Sequence, residues 1–241
     1  ATISPKPKKK ETASIKFGMP KRIITIDGPA GAGKSTVAKK LAQGLGIFYL
    51  DTGAMYRALT LKAIRGGIRL EDEQPLADLA KRTKIDLQNY PGGTKVFLDG
   101  EDVSEEIRSL EVTNKTFYIA RAPAVRAVVV QWQKDIGARQ DVVAEGRDVG
   151  TVVFPEASHK FYLDADREER FHRRIQELKD KGQVINEDRL KVEIQQRDQK
   201  DLTRQAGPLK KAEDAVVIDS THLSAEEVVE EMLRYIGWTN L

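Results

Sequence analysis

Several features are missing from this sequence, and each absence removes a class of protein. The 241 residues contain no cysteine, which excludes a disulfide scaffold, a thiolate metal site and thiol catalysis, and fits a reducing compartment such as the cytoplasm. No apolar run approaches the roughly 18 residues needed to span a bilayer, so we expect no membrane partner. The three histidines show no motif spacing, and surface or structural positions are expected for them.

The net charge is small and unevenly distributed. The chain has 40 Lys and Arg against 37 Asp and Glu, a formal net charge of +3. Residues 1–22 hold seven basic groups and one acidic group, which leaves −3 for the rest of the chain. Residues 1–21 are predicted to be a flexible basic extension, because lysines and prolines cluster there without apolar periodicity. A solvated tail is favoured over a phosphate-attracting arm, and nucleic acid is not an expected partner.

From Arg22 onward, short apolar segments alternate with helical stretches, a pattern typical of parallel sheets built from βαβ units. The candidate strands are residues 22–27, 47–50, 141–145, 159–165 and 215–220. Their near-continuous apolar character is expected where helices cover both faces of a sheet. The predicted fold class is α/β, with a doubly wound five-stranded parallel sheet.

Two stretches are too long to be simple connections. About 90 residues separate the second and third candidate strands, so this span must hold a substructure. Within it, residues 84–90 and 94–100 flank Pro91-Gly92-Gly93, which predicts an antiparallel hairpin. Residues 166–205 predict two helices separated near Gly182, with Asn186 as the N-cap of the second.

The segment from Gly28 to Ser35, GPAGAGKS, fits the pattern G-x-x-x-x-G-K-[ST] and lies between a predicted strand and a predicted helix. Backbone amides of such a loop converge on phosphate oxygens, the lysine reaches the β- and γ-phosphates, and the serine offers its hydroxyl to Mg²⁺. The sequence therefore predicts a nucleoside triphosphate site with Mg²⁺ as its metal.

The phosphate loop alone does not identify the reaction. Asn114-Lys115 continues as Thr116-Phe117, so the guanine-reading N-K-x-D motif is absent at this position and a GTPase is disfavoured. The loop lies early in the body and close to the next strand, which favours a small-molecule kinase over a large motor ATPase. Residues 51–52 and 145–148 follow two further candidate strands, at the carboxyl ends where open parallel sheets bind ligands.

Several segments together resemble the bacterial cytidylate kinases, a family of P-loop nucleoside monophosphate kinases. They are IDGPAGAGKST, LDTGAMYRA, DGEDVSEEIR, AEGRDVGTVVFPEA, the R-D-x-x-D-x-x-R run and IDST. The similarity covers residues 22–236. It implies transfer of the γ-phosphoryl group of ATP to CMP or dCMP by a single kinase domain, residues 22–241. The implied parts are a core (22–65, 116–165 and 206–241), an NMP-binding insert (about 66–115) and a helical lid (about 166–205).

The resemblance also implies roles for individual residues. The implied catalytic residues are Lys34, Arg147, Arg173 and Arg204. The residues implied to bind ATP are Gly28, Pro29, Ala30, Gly31, Ala32, Gly33, Lys34, Ser35, Thr36 and Arg173. Those implied to bind CMP are Thr52, Arg57, Arg126, Arg147, Asp148, Arg197, Asp201 and Arg204. Ser35, and Asp51 through water, are implied to hold Mg²⁺.

The chemistry of such an acceptor agrees with these roles. A nucleoside monophosphate has a second pKa near 6, so it is largely dianionic at pH 7 and needs no general base. Cations must instead neutralise the charge of the transferring group. Asp148 is expected to accept from the cytosine amino group, and Arg126 to donate to the O2 and N3 atoms. Arg197, Asp201 and Arg204 have the spacing of one helical face, and ordinary ion pairs remain the alternative for them and for Arg147-Asp148.

One position departs from the family pattern. Many members have a base-contacting serine where Phe117 stands, so either Phe117 stacks on the base or Thr116 supplies the hydroxyl. The family also implies a monomer. Two other functions stay open: a P-loop kinase for another monophosphate or small metabolite, and a regulatory or nucleic-acid-binding ATPase that uses the basic extension.

Overall fold

The computed structural model describes residues 21–90, 93–180, 182 and 184–238. Apart from Lys21, the predicted basic extension lies outside these residues, and so do Pro91 and Gly92 of the hairpin turn. In chain order the elements are β1 (Ile23–Asp27), α1 (Lys34–Leu45), β2 (Phe48–Asp51), α2 (Thr52–Arg65), α3 (Glu73–Lys81), β3 (Ile85–Tyr90), β4 (Gly93–Leu98), β5 (Glu101–Asp102), a 3₁₀ turn (Glu106–Arg108), α4 (Leu110–Arg121), α5 (Pro123–Arg139), β6 (Val142–Gly146), a π turn (Val149–Val153), β7 (His159–Asp164), α6 (Arg167–Asp180), α7 (Glu187–Thr203), β8 (Val216–Asp219) and α8 (Ala225–Ile236).

The main sheet has five strands in the order β2-β6-β1-β7-β8. Every neighbouring pair in it is parallel. The five candidate strands are therefore confirmed. Most of their ends lie one residue away from the expected position. None of the helices in the described ranges combines the length and apolar character needed to cross a membrane.

Helices cover both faces of this sheet. Successive strand residues point to opposite sides, so each strand contributes side chains to both faces. Ile24 and Ile26 on β1 pack in one hydrophobic cluster with residues of α1 and α8. Leu50 on β2 and Ala144 on β6 pack in a second cluster, with residues of α2, α4 and α5. The doubly wound α/β fold is confirmed.

The span between β2 and β6 contains a small antiparallel sheet in the order β3-β4-β5. The β3–β4 register pairs Ile85 with Leu98 and Tyr90 with Gly93, which confirms the hairpin, whereas the third strand had no signal in the sequence. Leu76 and Leu87 belong to the same hydrophobic cluster as Leu50, so this substructure shares a core with the body. The division into core, insert and lid stays a prediction.

Helices α6 and α7 form a pair with a hydrophobic cluster of their own, made by Phe171, Ile175, Leu178, Leu190 and Ile194. The side chain of Asn186 accepts from the Arg189 amide at 2.9 Å, which confirms the predicted N-cap. One expectation was wrong. Helix α7 ends at Thr203, and Arg204 is its C-cap with φ −62° and ψ 139°, off the helical face of Arg197 and Asp201. The chain turns there toward Gly207, whose φ is +58°.

Candidate active site

Three segments meet at one edge of the main sheet. The phosphate loop follows β1, helix α2 begins directly after β2 ends at Asp51, and Arg147 and Asp148 follow β6. Since β6 lies between β2 and β1, these three carboxyl ends are neighbours. The sheet topology therefore brings the separated motifs into one cleft, where open parallel sheets bind ligands.

The phosphate loop wraps around its own lysine. The Nζ atom of Lys34 donates to the carbonyl oxygen of Pro29 at 2.6 Å. Helix α1 begins at Lys34, and its N-cap, Gly33, has φ +86° and no side chain to occupy the first amides. A Cβ atom on Gly28 would overlap the Leu163 carbonyl oxygen on β7, so only glycine fits there. No side chain caps the amides at the positive end of α1, and these amides suit a phosphate group.

Positive charge is concentrated beside this loop. Burial, together with the nearby Arg147 and Arg197, lowers the pKa of Lys34 to about 7. Burial and Arg147 likewise lower the pKa of Arg197 to about 10. Arg147 has a carboxylate partner, because its Nε donates to Asp201 at 2.8 Å. Burial is the main cause of both shifts and the neighbouring cations add to it, so a bound polyanion would stabilise the charged forms of Lys34 and Arg197.

The start of α2, directly after β2, presents a second basic group. Asp51 caps α2 by accepting from the Ala54 amide at 2.8 Å, and its other oxygen accepts from Arg57 at 2.9 Å. Although burial opposes it, Arg57 and Arg108 lower the pKa of Asp51. The hydroxyl of Thr52 donates to the Glu145 carbonyl at 2.6 Å. Arg57 Nε is buried without a hydrogen-bond partner among the described residues, so this guanidinium keeps a donor for a ligand.

Asp148 is shared by two arginines. Its Oδ2 accepts from Arg126, and its Oδ1 accepts from Arg204 at 3.3 Å. Arg126 and Asp148 are 4% and 5% exposed, so their pairing is shielded from water. The Arg126 guanidinium lies 5.5 Å from the centre of the Tyr56 ring. This donor–acceptor network is continuous with the positive cluster, since Arg204 lies 3.8 Å from Asp201.

The α6–α7 pair contacts the phosphate loop directly. Asp198 accepts from the Ala30 amide at 3.2 Å and from Arg170 at 2.5 Å, and Arg170 also donates to the Ala30 carbonyl at 2.8 Å. Arg173 donates to the Ser220 hydroxyl at 3.0 Å, and its Nη1 would lie 3.8 Å from a Cβ atom on Gly33. Both arginines therefore lie beside the loop that is predicted to bind ATP.

Glu145 is the carboxylate that meets the phosphate loop. Its Oε1 accepts from the Ser35 hydroxyl at 2.5 Å and from the Tyr49 hydroxyl at 3.0 Å. Hydroxyl and carboxylate oxygens are ligands that Mg²⁺ takes. The described residues contain no group of three or more His, Cys, Asp and Glu side chains arranged to hold a metal. A metal here would therefore draw its remaining ligands from a nucleotide and water.

Sequence reasoning missed three site residues: Asp27, Glu145 and Asp198. Each lies inside one of the segments that carry the family resemblance, so a signal was present. Asp27 precedes Gly28 in IDGPAGAGKST, Glu145 stands two residues before Arg147 in AEGRDVGTVVFPEA, and Asp198 follows Arg197 in the R-D-x-x-D run. The motifs did not indicate the partners of these side chains, because one partner of each lies more than 100 residues away in the sequence.

Phe117 and Thr116 lie on α4 in different surroundings. The Phe117 ring centre is 5.3 Å from Lys200 Nζ on α7 and 5.5 Å from the Arg121 guanidinium. The hydroxyl of Thr116 donates to the Val112 carbonyl at 2.7 Å and contacts Thr60 on α2. Thr116 is therefore engaged between helices, and stacking of Phe117 on a base stays a prediction.

The family model and two curated relatives that match this sequence have the same family name. A family model described as cytidylate kinase matches residues 24–237. The cytidylate kinase of Caldanaerobacter subterraneus subsp. tengcongensis is 50% identical over 213 residues, which cover 88% of this chain and 93% of that protein. The cytidylate kinase of Pelotomaculum thermopropionicum is 50% identical over 215 residues, 89% and 95% of the two chains. Among solved structures, a gluconokinase from Sinorhizobium meliloti 1021 aligns with a TM-score of 0.48 and 14% identity over 90% of this chain and 92% of that one.

Proposed function

Because this chain belongs to the cytidylate kinase family, we propose that it transfers the γ-phosphoryl group of ATP to CMP or dCMP, giving ADP and CDP or dCDP. The chain is an enzyme, a kinase of the phosphotransferase class. One observation supports CMP or dCMP as the acceptor. A run of ion pairs, Arg147–Asp201–Arg204–Asp148, joins the positive cluster to the network around Asp148. The positive cluster suits phosphates, and the network around Asp148 suits the polar edge of a base.

On the donor side, residues 28–36 would hold the phosphates of ATP through backbone amides and Lys34. Lys34 reaches the β- and γ-phosphates in loops of this kind. Arg173 would add a cation from α6, and its closeness to Gly33 supports this role. These groups act by position and charge, because phosphoryl transfer asks for alignment and charge neutralisation rather than for a protein nucleophile.

On the acceptor side, the phosphate of CMP would meet Thr52, Arg57, Arg147 and Arg204. The buried Arg57 Nε, which has no hydrogen-bond partner within the described part of the chain, supports this assignment. Arg197 and Asp201 would contact the sugar, and the phosphate oxygen itself attacks, because the dianion needs no general base. The cations that surround it lower the repulsion between two polyanions and hold them in line.

Recognition of the base would rest on Asp148 and Arg126. Cytosine presents an amino donor at N4 beside the acceptors N3 and O2. A carboxylate offers about four acceptor positions, so Asp148 can accept from N4 while it keeps both arginines, and Arg126 can donate to N3 and O2. Uracil has an acceptor at position 4 and would be repelled by the carboxylate.

Mg²⁺ would be held by Ser35 and Glu145, with Asp51 acting through water. The contact between the Ser35 hydroxyl and Glu145 supports Glu145 as the carboxylate nearer to the metal. Both oxygens of Asp51 already bind Ala54 and Arg57, which favours a supporting role for it. When bound, the metal supplies neutralisation of phosphate charge.

The test is a coupled ADP-release assay of the full chain with ATP, Mg²⁺ and a panel of CMP, dCMP, UMP, AMP, GMP and shikimate. ADP formation that depends on CMP or dCMP is expected. The Asp148→Ala variant should lose at least about 10²-fold in kcat/KM for CMP, because the amino group then meets no acceptor. Its KM for ATP should stay near the wild-type value.

A matched control is Asp214→Ala, which removes an exposed partner of Lys160 away from the cleft. This variant should behave as the wild type with both nucleotides. If the chain phosphorylates AMP or shikimate and does not phosphorylate CMP, the proposal is wrong. Equal losses for CMP and ATP in Asp148→Ala would count against base recognition by Asp148.

We also propose that the enzyme acts as a monomer in the cytoplasm and does not use its basic extension for turnover. Resemblance to the family supports the monomer, and the cysteine-free composition fits reducing conditions. Size-exclusion chromatography and a variant that lacks residues 1–20 test these points. A dimer, or a truncated chain without CMP kinase activity, would contradict them.

A further inference from the structure

Asp27 joins two loops of the cleft. It is the last residue of β1 and directly precedes the phosphate loop. Its Oδ1 accepts from the Val149 amide at 2.9 Å, and its Oδ2 accepts from the Gly150 amide at 2.7 Å. These two amides follow Arg147 and Asp148 in the chain. One carboxylate therefore ties the start of the phosphate loop to the loop that carries the acceptor-side residues.

The surroundings leave this contact little freedom. Asp27 is 3% exposed, so its hydrogen bonds are shielded from water. A Cβ atom on Gly150 would lie 2.8 Å from Thr25 Oγ1, and one on Gly146 would lie 2.6 Å from Thr52 Oγ1. Both distances are shorter than van der Waals contact, so Gly150 packs too closely on β1, and Gly146 too closely on the start of α2, to leave room for a side chain. The carboxylate holds the loop there.

The negative charge of Asp27 matters for this contact. An ionised carboxylate only accepts hydrogen bonds, and charge-assisted bonds are roughly twice as strong as neutral ones. An amide side chain of the same shape would direct its own N–H groups at one of the two backbone N–H groups. The interaction is therefore specific to a carboxylate, whereas the space alone would accept asparagine.

The phosphate loop has separate anchors. Lys34 binds the Pro29 carbonyl, and Asp198 binds the Ala30 amide. Gly28 lies against Leu163 on β7. Loss of the Asp27 carboxylate therefore removes the backbone anchor of the loop after β6 and leaves its position to the ion pairs of Arg147 and Asp148, while the phosphate loop keeps its own contacts.

We propose that Asp27 is a positioning residue for the acceptor half of the site, which it serves by holding Arg147 and Asp148 in register with the phosphate loop. This inference rests on the proposed function, in which those two residues bind the acceptor phosphate and the base. Asp27 acts through Val149 and Gly150 and has no assigned contact with either nucleotide.

The test is Asp27→Asn in the full chain. We expect KM for CMP to rise and kcat/KM for CMP to fall by roughly 10- to 100-fold, the range for losing hydrogen bonds to a charged group. The dissociation constant of ATP, measured by titration in the absence of CMP, should stay near the wild-type value. That titration and a thermal unfolding curve also report whether the variant is folded.

Asp141→Asn is the matched control. Asp141 Oδ1 also accepts from a backbone amide, that of Arg22 at 3.0 Å, but at the opposite end of the same sheet. This variant should change neither KM. If Asp27→Asn does not fold, Asp27→Ser takes its place, because serine leaves one acceptor without adding bulk.

A folded variant with unchanged KM for CMP overturns the proposal, and so does equal weakening of ATP and CMP binding. A purely structural role would lower the active fraction, and hence the apparent kcat, without changing KM for CMP. A wild-type chain that ignores CMP overturns the proposed function itself, and with it the assignment of Arg147 and Asp148. The two failures are therefore told apart by the wild-type assay.

Discussion

The hydroxyl of Ser35 lies 2.5 Å from Oε1 of Glu145, so the phosphate loop and the end of β6 meet through one hydrogen bond. Tyr49 on β2 donates to the same oxygen at 3.0 Å. The contact joins a residue of the phosphate-loop motif to one in the AEGRDVGTVVFPEA segment that had no role assigned to it. It also brings together the two oxygen ligands best placed for a metal.

Glu145→Gln is expected to weaken the Mg²⁺ dependence of the reaction. The glutamine keeps the shape but loses the charge, and the apparent affinity for Mg²⁺ with ATP should fall by about 10-fold or more, as for other groups around metals. The measurement is ADP formation as a function of Mg²⁺ concentration, with ATP titrations in the absence of metal alongside it. Those metal-free titrations should match the wild type.

Glu156→Gln is the control for Glu145, because Glu156 is exposed and lies beyond the loop after β6. It should leave the Mg²⁺ curve unchanged. An unchanged curve in Glu145→Gln itself would remove Glu145 from the metal site.

Asp198→Asn is expected to loosen the α6–α7 pair from the phosphate loop. Asp198 accepts hydrogen bonds from the Ala30 amide and from the Arg170 guanidinium. Hydrogen bonds to charged groups contribute about 1.5–3 kcal/mol each to stability. Amide hydrogen exchange of the nucleotide-free protein should become faster in residues 28–36 and 167–203. Asp180→Asn, a change in the same helix pair away from the loop, should not alter residues 28–36. Identical exchange in Asp198→Asn and the wild type would contradict the docking role.

Phe117 is expected to help hold α7 against α4 through Lys200. Their separation of 5.3 Å is within the range of a cation–π contact, which contributes about 0.5–1 kcal/mol at partly exposed sites. A double-mutant cycle of Phe117→Leu and Lys200→Met, read as free energies of urea unfolding, should give a coupling of that size. Strictly additive effects would show that the two side chains are close without interacting.

Ionisation of Asp27 is expected to lower the free energy of unfolding as pH rises. Burial raises its pKa from 3.8 to about 6, against the lowering effect of the Gly150 and Val149 amides and of Lys34, while Asp148 raises it further. Tyr162 on β7 is the other titratable group that faces it. The folded state therefore binds the proton more tightly than the unfolded chain does. The cost is absent below about pH 4, grows between pH 4 and 6, and is complete above pH 6, where it amounts to about 3 kcal/mol.

Urea unfolding of the wild type and Asp27→Asn at pH 5 and pH 7.5 measures this effect. The free energy of unfolding of the wild type, relative to the variant, should fall by about 1 kcal/mol between the two pH values. A constant difference would show that Asp27 keeps an ordinary pKa in the folded state. The opposite trend would show that its hydrogen bonds outweigh its burial.

Much of the fold could be predicted because its signals are local. Apolar runs marked the five strands of the main sheet, and the glycine pattern before Lys34 marked the phosphate loop. Asn186 marked the start of α7. Strand β5 escaped prediction because a two-residue strand carries no periodicity. The end of α7 was misjudged because the spacing of Arg197, Asp201 and Arg204 did not reveal that the backbone leaves the helix at Arg204.

By itself, the sequence determined the five strands of the main sheet, the phosphate loop and the family resemblance, since each depends on residues within short segments. The tertiary structure decided which charges meet. Ser35 and Glu145 are 110 residues apart, Asp27 and Val149 are 122 apart, and Ala30 and Asp198 are 168 apart. No local pattern specifies such pairs, because they depend on β6 lying between β2 and β1 and on α7 reaching back to the phosphate loop. In a buried cleft, where water cannot screen or replace a partner, those neighbours set what each charged group can do.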